Sequence, residues 1–260
     1  MKNFNIFQRA LRKIKSEIII SLQERNPFLI PIFIINFNRL SDMKILINSL
    51  QIRGYKNIYI IDNNSTYPPL LEYYKSIENK VKILKQNDNI GHLVFWKKPE
   101  IFWKYSLGYY VVTDSDIIPN KDLPIDFLKT FIEKLKKYPN VTKVGFALDL
   151  DSIPANYPLL DQVIKWEKKY WINNVEENIF ISEIDTTLAI YRPKYLIDNK
   201  FLVALRMAGK YTAKHGGWYS IPNKFSEEEK YYFKTANEAS SWILNEDGTM
   251  NERVSNKMYK

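Results

Sequence analysis

The chain has 260 residues, of which 45% are hydrophobic and 15% aromatic, so it can bury a sizeable core and is not a disordered protein. It contains no cysteine, which excludes disulfides, thiolate nucleophiles and cysteine-bound zinc. Its formal net charge of +9 suits an anionic ligand, nucleic acid or membrane, and residues 1–28 carry nearly half of the excess, with 6 − 2 = +4.

The first segment is predicted to be an amphipathic helix, because its large apolar residues recur every three or four positions. These are Phe4, Phe7, Leu11, Ile14, Ile18 and Leu22, and Asn26-Pro27 then ends the helix. One interpretation is a helix that lies on an anionic membrane or docks onto a partner. The other is a helix packed on its own domain.

From residue 31 the pattern predicts alternating strands and helices. Strands are expected at 32–35, 57–61 and 81–84, with helices at about 41–50 and 70–77. Repeated units of this length predict an α/β fold with a mainly parallel, doubly wound sheet. Neither a Gly-x-Gly-x-x-Gly motif nor a Walker sequence is present, which excludes a dinucleotide dehydrogenase and a P-loop NTPase.

An apolar run at 109–113 ends in Asp114-Ser115-Asp116. This pattern predicts a buried strand that delivers two carboxylates to the carboxyl edge of the sheet, where open α/β sheets bind ligands. Two carboxylates one residue apart can share Mg²⁺ or Mn²⁺ and leave positions open for phosphate oxygens. Spacing alone is weak evidence, since Asp149 and Asp151 repeat it.

The later elements continue the same pattern. An exposed helix is predicted at 124–137, and strands at 144–148, 179–181 and 186–191. The aromatic and basic segment 166–171 is interpreted as a packed helix in preference to a surface that stacks on single-stranded nucleic acid. A helix is expected at 225–244, opened by Ser226, and a frayed tail at 251–260.

The ordered set of features from about residue 31 to 219 resembles the GT-A-fold glycosyltransferases that use nucleotide sugars. Within them it is most similar to the family 2-type enzymes of bacterial surface polysaccharide synthesis. The resemblance implies one GT-A domain at 29–222, flanked by the helix at 1–28 and a helix and tail at 223–260. The matching pieces are Asn36-Phe37-Asn38-Arg39, Ile61-Asp62-Asn63, Asp114-Ser115-Asp116, Glu183-Ile184-Asp185 and His215.

The resemblance also implies roles for these residues. Asp116 would bind Mn²⁺ or Mg²⁺ directly, Asp114 would contact the ribose or metal-bound water as part of the metal site, and His215 would be a further ligand. The catalytic base would be Asp185 or Glu183, with Asp185 preferred, although a strand follows it where the family more often has a helix. The polar residues after the strands would bind the donor: Asn36, Asn38, Arg39, Asp62, Asn63, Asn89, His92, Asp114 and Ser115.

The predicted function is therefore that of a metal-dependent, inverting hexosyltransferase. Its donor would be a nucleoside diphosphate sugar, of which UDP-sugars are the most frequent in the group, and its acceptor a hydroxyl of a glycan or lipid-linked glycan. Nucleic acid is not an expected partner. The longest apolar stretch, 28–35, is short and broken by Pro31, so a cytoplasmic protein is expected, at most peripheral to the inner membrane face.

Two other functions fit the same pattern. A nucleotidyltransferase shares the sheet and the metal carboxylates, but its glycine-rich loop is absent after the first strand, at residues 36–40. A non-catalytic subunit that binds a nucleotide sugar or carbohydrate would keep the fold without turnover.

Overall fold

The computed structural model describes residues 6–237 and 242–251. It has one ten-stranded sheet with the order β3-β2-β1-β4-β9-β6-β10-β8-β7, and β5 pairs with β10 outside this path. The strands are β1 Ile32–Asn36, β2 Ile58–Asp62, β3 Lys82–Lys85, β4 Tyr110–Asp114, β5 Ile117–Pro119, β6 Lys143–Leu148, β7 Asn174–Glu176, β8 Ile179–Glu183, β9 Ala189–Tyr191 and β10 Val203–His215.

Helices cover both faces of this sheet. They are α1 Ile6–Arg25, α2 Ser41–Ile52, α3 Pro68–Ile77, α4 Val94–Lys97, α5 Pro99–Tyr105, α6 Phe127–Lys137, α7 Leu160–Glu167 and α8 Glu227–Thr235. Short 3₁₀ turns lie at Pro27–Leu29, Lys168–Trp171 and Gly216–Tyr219. Within the described ranges, no helix combines the length and the apolar character needed to cross a membrane.

Strand directions confirm the predicted α/β fold with a mostly parallel sheet. The strands β1, β2, β3 and β4 form a parallel block, and β6 is parallel to β10. Strand β9 runs the other way between β4 and β6, and β5 and β8 are antiparallel to β10. The antiparallel insertion is a difference from the sequence-based expectation, because residues 186–191 carry no signal of direction.

The central strands are buried on both faces because each is a nearly continuous apolar run. In β1, Ile32 and Ile34 pack with the side chains of α2, α3 and α6, whereas Phe33 and Ile35 pack with those of α4 and α5. The alternation follows from the two-residue period of a strand. The sheet is therefore packed between two apolar layers. This packing fixes the position of its carboxyl edge and of the polar side chains there.

Two helices differ from their predicted form, and two more were not predicted. The helix α6 is not simply exposed, because Phe127, Leu128, Phe131, Ile132 and Leu135 form a buried face. Helix α8 begins as predicted, with a reciprocal capping box between Ser226 and Glu229, but it ends at Thr235 rather than near residue 244. The short helices α4 and α5 were not predicted, and the expected frayed tail lies almost wholly outside the described residues.

Candidate functional site

A cavity of about 100 Å³ lies at the carboxyl edge of the sheet, where β1, β2 and β4 end. These ends are adjacent because β2 and β4 both pair with β1 in parallel. Most of the predicted donor-binding and metal-binding residues line the cavity, namely Arg39, Asn63, Asn89, His92, Asp114, Ser115, Asp116 and His215. The remaining wall consists of Ile35, Phe37, Gly91, Tyr232 and Asn237.

The acidic pair occupies the turn between β4 and β5. Asp114 is the last residue of β4, its backbone N–H donates to the Thr186 carbonyl at 2.9 Å, and its Oδ2 accepts a short hydrogen bond from the Thr186 hydroxyl. Burial, and then the negative charge of Asp116, raises the pKa of Asp114 well above its usual range, while the Thr186 hydrogen bond opposes this shift. Two such carboxylates are costly to keep charged together unless a cation neutralises them.

His215 reaches the acidic pair through long-range strand pairing. It is the last residue of β10 and stands opposite Ile117 of β5, so its ring lies beside the turn. Its Nδ1 is 3.9 Å from Asp116 Oδ2, and Nδ1 is buried without a hydrogen-bond partner. The ring stacks on Trp218 with centroids 5.0 Å apart. An imidazole nitrogen left in this state has its lone pair or proton available for a ligand.

The donor set fits a hard divalent cation that is completed by its ligand. In the ranges 6–237 and 242–251, no three acidic or histidine side chains converge closely enough to form a closed metal cage. Mg²⁺ is commonly held by one or two carboxylates together with substrate phosphates, and Mn²⁺ accepts the same oxygen ligands. Asp114, Asp116 and the unpartnered Nδ1 of His215 match that open arrangement.

Asp42, in the first turn of α2, is a third carboxylate beside the pair. A methyl group on Gly216 would collide with the Asp42 carboxylate and would come within 3.2 Å of Asp116 Cβ. Burial, followed by the charge of Asp116, raises the pKa of Asp42 to about 6. No local signal identifies this residue, because its place in the site depends on the packing of α2 on β5.

The carboxyl-terminal helix α8 forms one wall of the cavity. Glu228 accepts hydrogen bonds from the backbone N–H of Leu40 at 2.7 Å and from the Ser41 hydroxyl at 2.6 Å. The Arg39 guanidinium lies 4.0 Å from the centroid of the Tyr232 ring. These contacts bring residues far apart in sequence to one site, and Glu228 and Tyr232 were not predicted as site residues.

A larger cavity of about 550 Å³ adjoins the first and shares His92, Asp114 and His215 with it. Its walls include both candidate bases, Asp185 and Glu183. It also has an aromatic lining from Trp166, Tyr170, Trp218 and Trp242. Aromatic faces beside carboxylates suit a ligand with both apolar and hydroxyl-bearing surfaces.

The two candidate bases differ in their surroundings. Asp185 Oδ1 lies 3.8 Å from His92 Nε2, which also lines the smaller cavity. Glu183 ends β8 and lies beside Tyr170, whose pKa is raised by burial and then by the charge of Glu183. Asp185 is thus adjacent to His92, which lines both cavities, whereas Glu183 also lines a separate surface cavity together with Lys169 and Tyr170.

The structure does not bring Asn36, Asn38 or Asp62 to the lining of either cavity. Asp62 accepts hydrogen bonds from Tyr74 Oη at 2.9 Å and Ser65 N at 3.1 Å, and Asn36 Nδ2 donates to the same Tyr74 hydroxyl. Asn38 adopts a left-handed φ of 52° and accepts from the backbone N–H groups of Thr66 and Tyr67. These side chains form hydrogen bonds within the loops that support the site.

The second acidic pair is a turn, not part of the site. Asp149 accepts hydrogen bonds from the backbone N–H of Asp151 at 3.1 Å and from the Ser152 hydroxyl at 2.6 Å. Of the tryptophans, Trp218 lines the larger cavity, while Trp96 donates to Tyr110 Oη and packs on Tyr191 in the core. Identical spacing therefore has different consequences at residues 114–116 and 149–151.

Lys143 is a buried cation that contacts the backbone of Asp185. Its Nζ donates to the Asp185 carbonyl oxygen at 2.9 Å and lies 3.9 Å from the Phe201 ring centroid. Tyr191 Oη is 3.3 Å from the same nitrogen. Burial lowers the pKa of Lys143 to about 7, and the negative charge of Asp185 limits the fall.

Because the pKa of Lys143 is lowered, we expect the free energy of unfolding to depend on pH. Its folded pKa of about 7 lies below the unfolded value, so above pH 7 the unfolded chain binds the extra proton and stability rises with pH until the unfolded pKa is reached. Between pH 6.5 and 8.5 the gain from this group is about 2 kcal/mol. Lys143→Met should lack that gain in urea unfolding, whereas Lys80→Met, at an exposed position, should keep it. Parallel pH profiles for the parent and Lys143→Met would contradict the shift.

No protein-family model and no curated protein matches the sequence. Several solved structures resemble its fold. The mannosyltransferase PcManGT from Pyrobaculum calidifontis, in complex with GDP-Man and Mn²⁺, has 11% identity and a TM-score of 0.44, over 86% of this chain and 70% of that one. TarS 1–349 from S. aureus has 14% identity and a TM-score of 0.43, over 84% and 67%.

Glucosyl-3-phosphoglycerate synthase from Mycobacterium tuberculosis is more distant, with 11% identity and a TM-score of 0.35 over 69% of this chain and 61% of that one. All three TM-scores are below 0.5. The function of this chain is accordingly inferred from its own residues.

Proposed function

We propose that this chain is a metal-dependent glycosyltransferase of the GT-A type, which transfers a sugar from a nucleoside diphosphate sugar to an acceptor hydroxyl. One observation carries the proposal. Asp114, Asp116 and the unpartnered Nδ1 of His215 meet at the carboxyl edge of the sheet, directly beside a larger cavity that is lined by the carboxylate of Asp185. The three metal-binding side chains would serve the binding of a diphosphate, and the carboxylate in the larger cavity would serve the deprotonation of an acceptor hydroxyl.

The donor half of the site would be the smaller cavity. Asp116 and His215 would hold Mn²⁺ or Mg²⁺, with Asp114 completing the acidic edge. When bound, the metal supplies Lewis-acid stabilisation of the charge that develops on the departing diphosphate. Arg39 adds a fixed positive charge in the same wall, and Asn63 holds the loop before His92 through a 3.1 Å hydrogen bond to the Gly91 carbonyl.

The acceptor half would be the larger cavity, with Asp185 as the base. Asp185 would take the proton of the acceptor hydroxyl, whose oxygen forms a bond to the anomeric carbon. The bond from that carbon to the diphosphate oxygen breaks, and the nucleoside diphosphate leaves. Attack from the face opposite the leaving group inverts the anomeric configuration. Trp166, Trp218 and Tyr170 would provide faces for the sugar rings.

The finer assignment follows the sequence resemblance. A UDP-hexose is the proposed donor, and a glycan or lipid-linked glycan of the bacterial surface is the proposed acceptor. The enzyme would act in the cytoplasm. The identity of the donor depends on hydrogen bonds to its base and its sugar. A panel of ligands therefore tests the donor assignment most directly.

Thermal unfolding with a panel of nucleoside diphosphates tests the proposal, each measured with Mn²⁺, Mg²⁺ or a chelator. A ligand at ~100 times its dissociation constant adds ~2.7 kcal/mol to the folded state, which for a chain of this size raises the melting temperature by about 5–10 °C. We expect such a rise with one nucleotide, only when metal is present, and transfer from the corresponding nucleotide sugar. No rise with any of them would refute the donor site.

The same panel separates the two other functions. A nucleotidyltransferase would respond to nucleoside triphosphates and release pyrophosphate. A binding subunit would show the metal-dependent rise with neither hydrolysis nor transfer of the sugar. The base-bearing second cavity beside the acidic pair favours the transferase over both.

A further inference from the structure

Helix α1 packs on the domain through polar residues that are buried, with Ile19 and Ile20 partly buried beside them. Ser16 and Gln23 are buried. Ser16 Oγ donates to the Leu107 carbonyl at 2.5 Å. Gln23 bonds the Tyr109 backbone twice, as its Nε2 donates to the carbonyl at 2.9 Å and its Oε1 accepts from the N–H at 2.7 Å. The buried polar residues of α1 thus satisfy backbone groups of the segment that enters β4.

This orientation of α1 is specified by close packing and by charge. A methyl group on Gly108 would collide with Gln23 and Ile19, so the helix lies directly on the backbone at that glycine. Glu24 at the end of the helix binds Lys136 Nζ of α6 at 2.7 Å and accepts a 3.1 Å hydrogen bond from Tyr109 Oη. A helix rotated about its axis would lose all these contacts.

The consequence is that the apolar face of α1 points outward. A surface helix of a globular protein ordinarily turns its apolar stripe toward the core. Here the exposed fraction of the stripe side chains runs from 71% for Phe7 to 48% for Leu22. Large contiguous apolar patches on soluble domains mark interaction sites. The members of the stripe are Phe7, Leu11, Ile14, Ile18 and Leu22.

We infer that this stripe docks α1 onto an anionic lipid bilayer. The helix carries five basic residues against two acidic ones, which is 5 − 2 = +3. Lys15 follows Leu11 by four residues and Arg25 follows Ile18 by seven, so both lie along the apolar stripe and both are exposed. An apolar face bordered by basic residues is the composition of helices that lie in the plane of anionic membranes.

A second copy of the chain fits the stripe less well. Two copies of α1 would bring their basic residues together, and this like-charge contact is unfavourable. The helix has 20 residues, whereas an apolar seam that specifies a coiled coil is sustained over at least three to four heptads. Charge complementarity therefore favours the lipid surface.

The docking surface and the candidate site lie at different ends of β4. The buried Ser16 and Gln23 of α1 bond residues 107 and 109, immediately before β4, whereas Asp114 is the last residue of β4. A five-residue strand is ~16 Å long. A bilayer held by α1 would leave the cavities open, so membrane binding does not depend on the proposed transferase activity and can be measured without it.

Flotation of the full chain with vesicles tests the inference. We expect it to float with vesicles of phosphatidylcholine and phosphatidylglycerol, and to bind vesicles of phosphatidylcholine alone about tenfold or more weakly. Added salt should weaken the binding. The variant Leu11→Gln/Ile14→Gln/Ile18→Gln keeps good helix formers and should bind roughly a hundredfold more weakly or worse. Lys15→Gln/Arg25→Gln should lower binding to the anionic vesicles about tenfold.

Matched controls change the same residue types elsewhere on the surface. Ile52→Gln/Ile125→Gln replaces exposed isoleucines outside α1, and Lys56→Gln/Lys80→Gln replaces exposed lysines. Both should float like the parent chain. All variants should retain the parent's circular dichroism and melting temperature, because the substituted side chains are exposed.

Three outcomes would overturn the inference. The parent chain could fail to float with anionic vesicles, or the triple variant could float as well as the parent. The third outcome is a dimer of the lipid-free parent in sedimentation equilibrium that the triple variant converts to a monomer. In that case a second copy, and not a bilayer, covers the stripe.

Discussion

Asp116→Asn is expected to remove the metal-dependent rise in melting temperature that the matching nucleoside diphosphate gives the parent chain. Asp116 Oδ2 faces the unpartnered Nδ1 of His215 at 3.9 Å, and no hydrogen bond to this carboxylate occurs within the described residues. Its charge is therefore free for a cation, while Asp114 is partly occupied by the Thr186 hydroxyl. The amide keeps the shape and loses the charge.

The expected loss is the whole shift of about 5–10 °C, and transfer should fall by a factor on the order of 10²–10³, as when one preorganised electrostatic group is removed from an active site. Calorimetry with Mn²⁺ and the nucleotide measures the first, and product formation the second. Without ligand, the variant should unfold at or above the parent's temperature, because one of two repelling carboxylates has been neutralised.

Asp151→Asn is the matched control, since Asp149 and Asp151 repeat the spacing of the acidic pair in an exposed turn. This variant should keep both the shift and the transfer rate. If Asp116→Asn retained the metal-dependent shift, the acidic pair would not be the metal site, and the donor half of the proposal would be wrong.

The sequence was sufficient to predict the parallel part of the sheet, because β1, β2 and β4 are apolar runs whose ends carry polar residues. Asp114 and Asp116 could be predicted for the same reason, as they directly follow such a run. What could not be predicted is the partner of each later strand. Residues 186–191 look like any other buried strand, yet β9 runs antiparallel between β4 and β6.

Site residues that come together through contacts between distant parts of the chain could likewise not be predicted. Asp42 approaches Asp116 because α2 packs on β5, and Gly216, directly after β10, lies against both residues. Tyr232 enters the cavity because Glu228 caps the start of α2 from far along the chain. Neither contact leaves a local pattern, since each depends on residues that are far apart in the chain.

The sequence also does not show whether polar residues at strand ends bind a ligand or form hydrogen bonds within their own loops. Asp62 and Asn38 stand where ligand-binding residues are expected, but they form hydrogen bonds within the loops. A strand end leaves backbone N–H groups to be satisfied, and Asp and Asn do this as readily as they bind ligands. The amphipathic period of α1 likewise predicted an apolar face without indicating that the opposite, polar face would dock.

Asp185→Asn is expected to lower kcat for transfer about 10²–10⁴-fold and to leave the nucleotide-induced thermal shift intact. Asp185 would act only on the acceptor hydroxyl, and a general base contributes a factor of this size. Its backbone is fixed by Lys143 Nζ at 2.9 Å, and its Oδ1 lies 3.8 Å from His92, a residue shared by both cavities. The carboxylate is thus held at the junction between donor and acceptor.

Glu183→Gln is the comparison that decides between the two carboxylates of the larger cavity. Glu183 lies beside Tyr170 and also lines a separate surface cavity, so its amide should reduce kcat less than tenfold and change mainly KM for the acceptor. Steady-state kinetics on both variants, with the thermal shift as a check on donor binding, separates the roles. A large loss of kcat in Glu183→Gln with near-parent turnover in Asp185→Asn would make Glu183 the base, since the carboxylate that takes the proton is the one whose loss slows the chemical step.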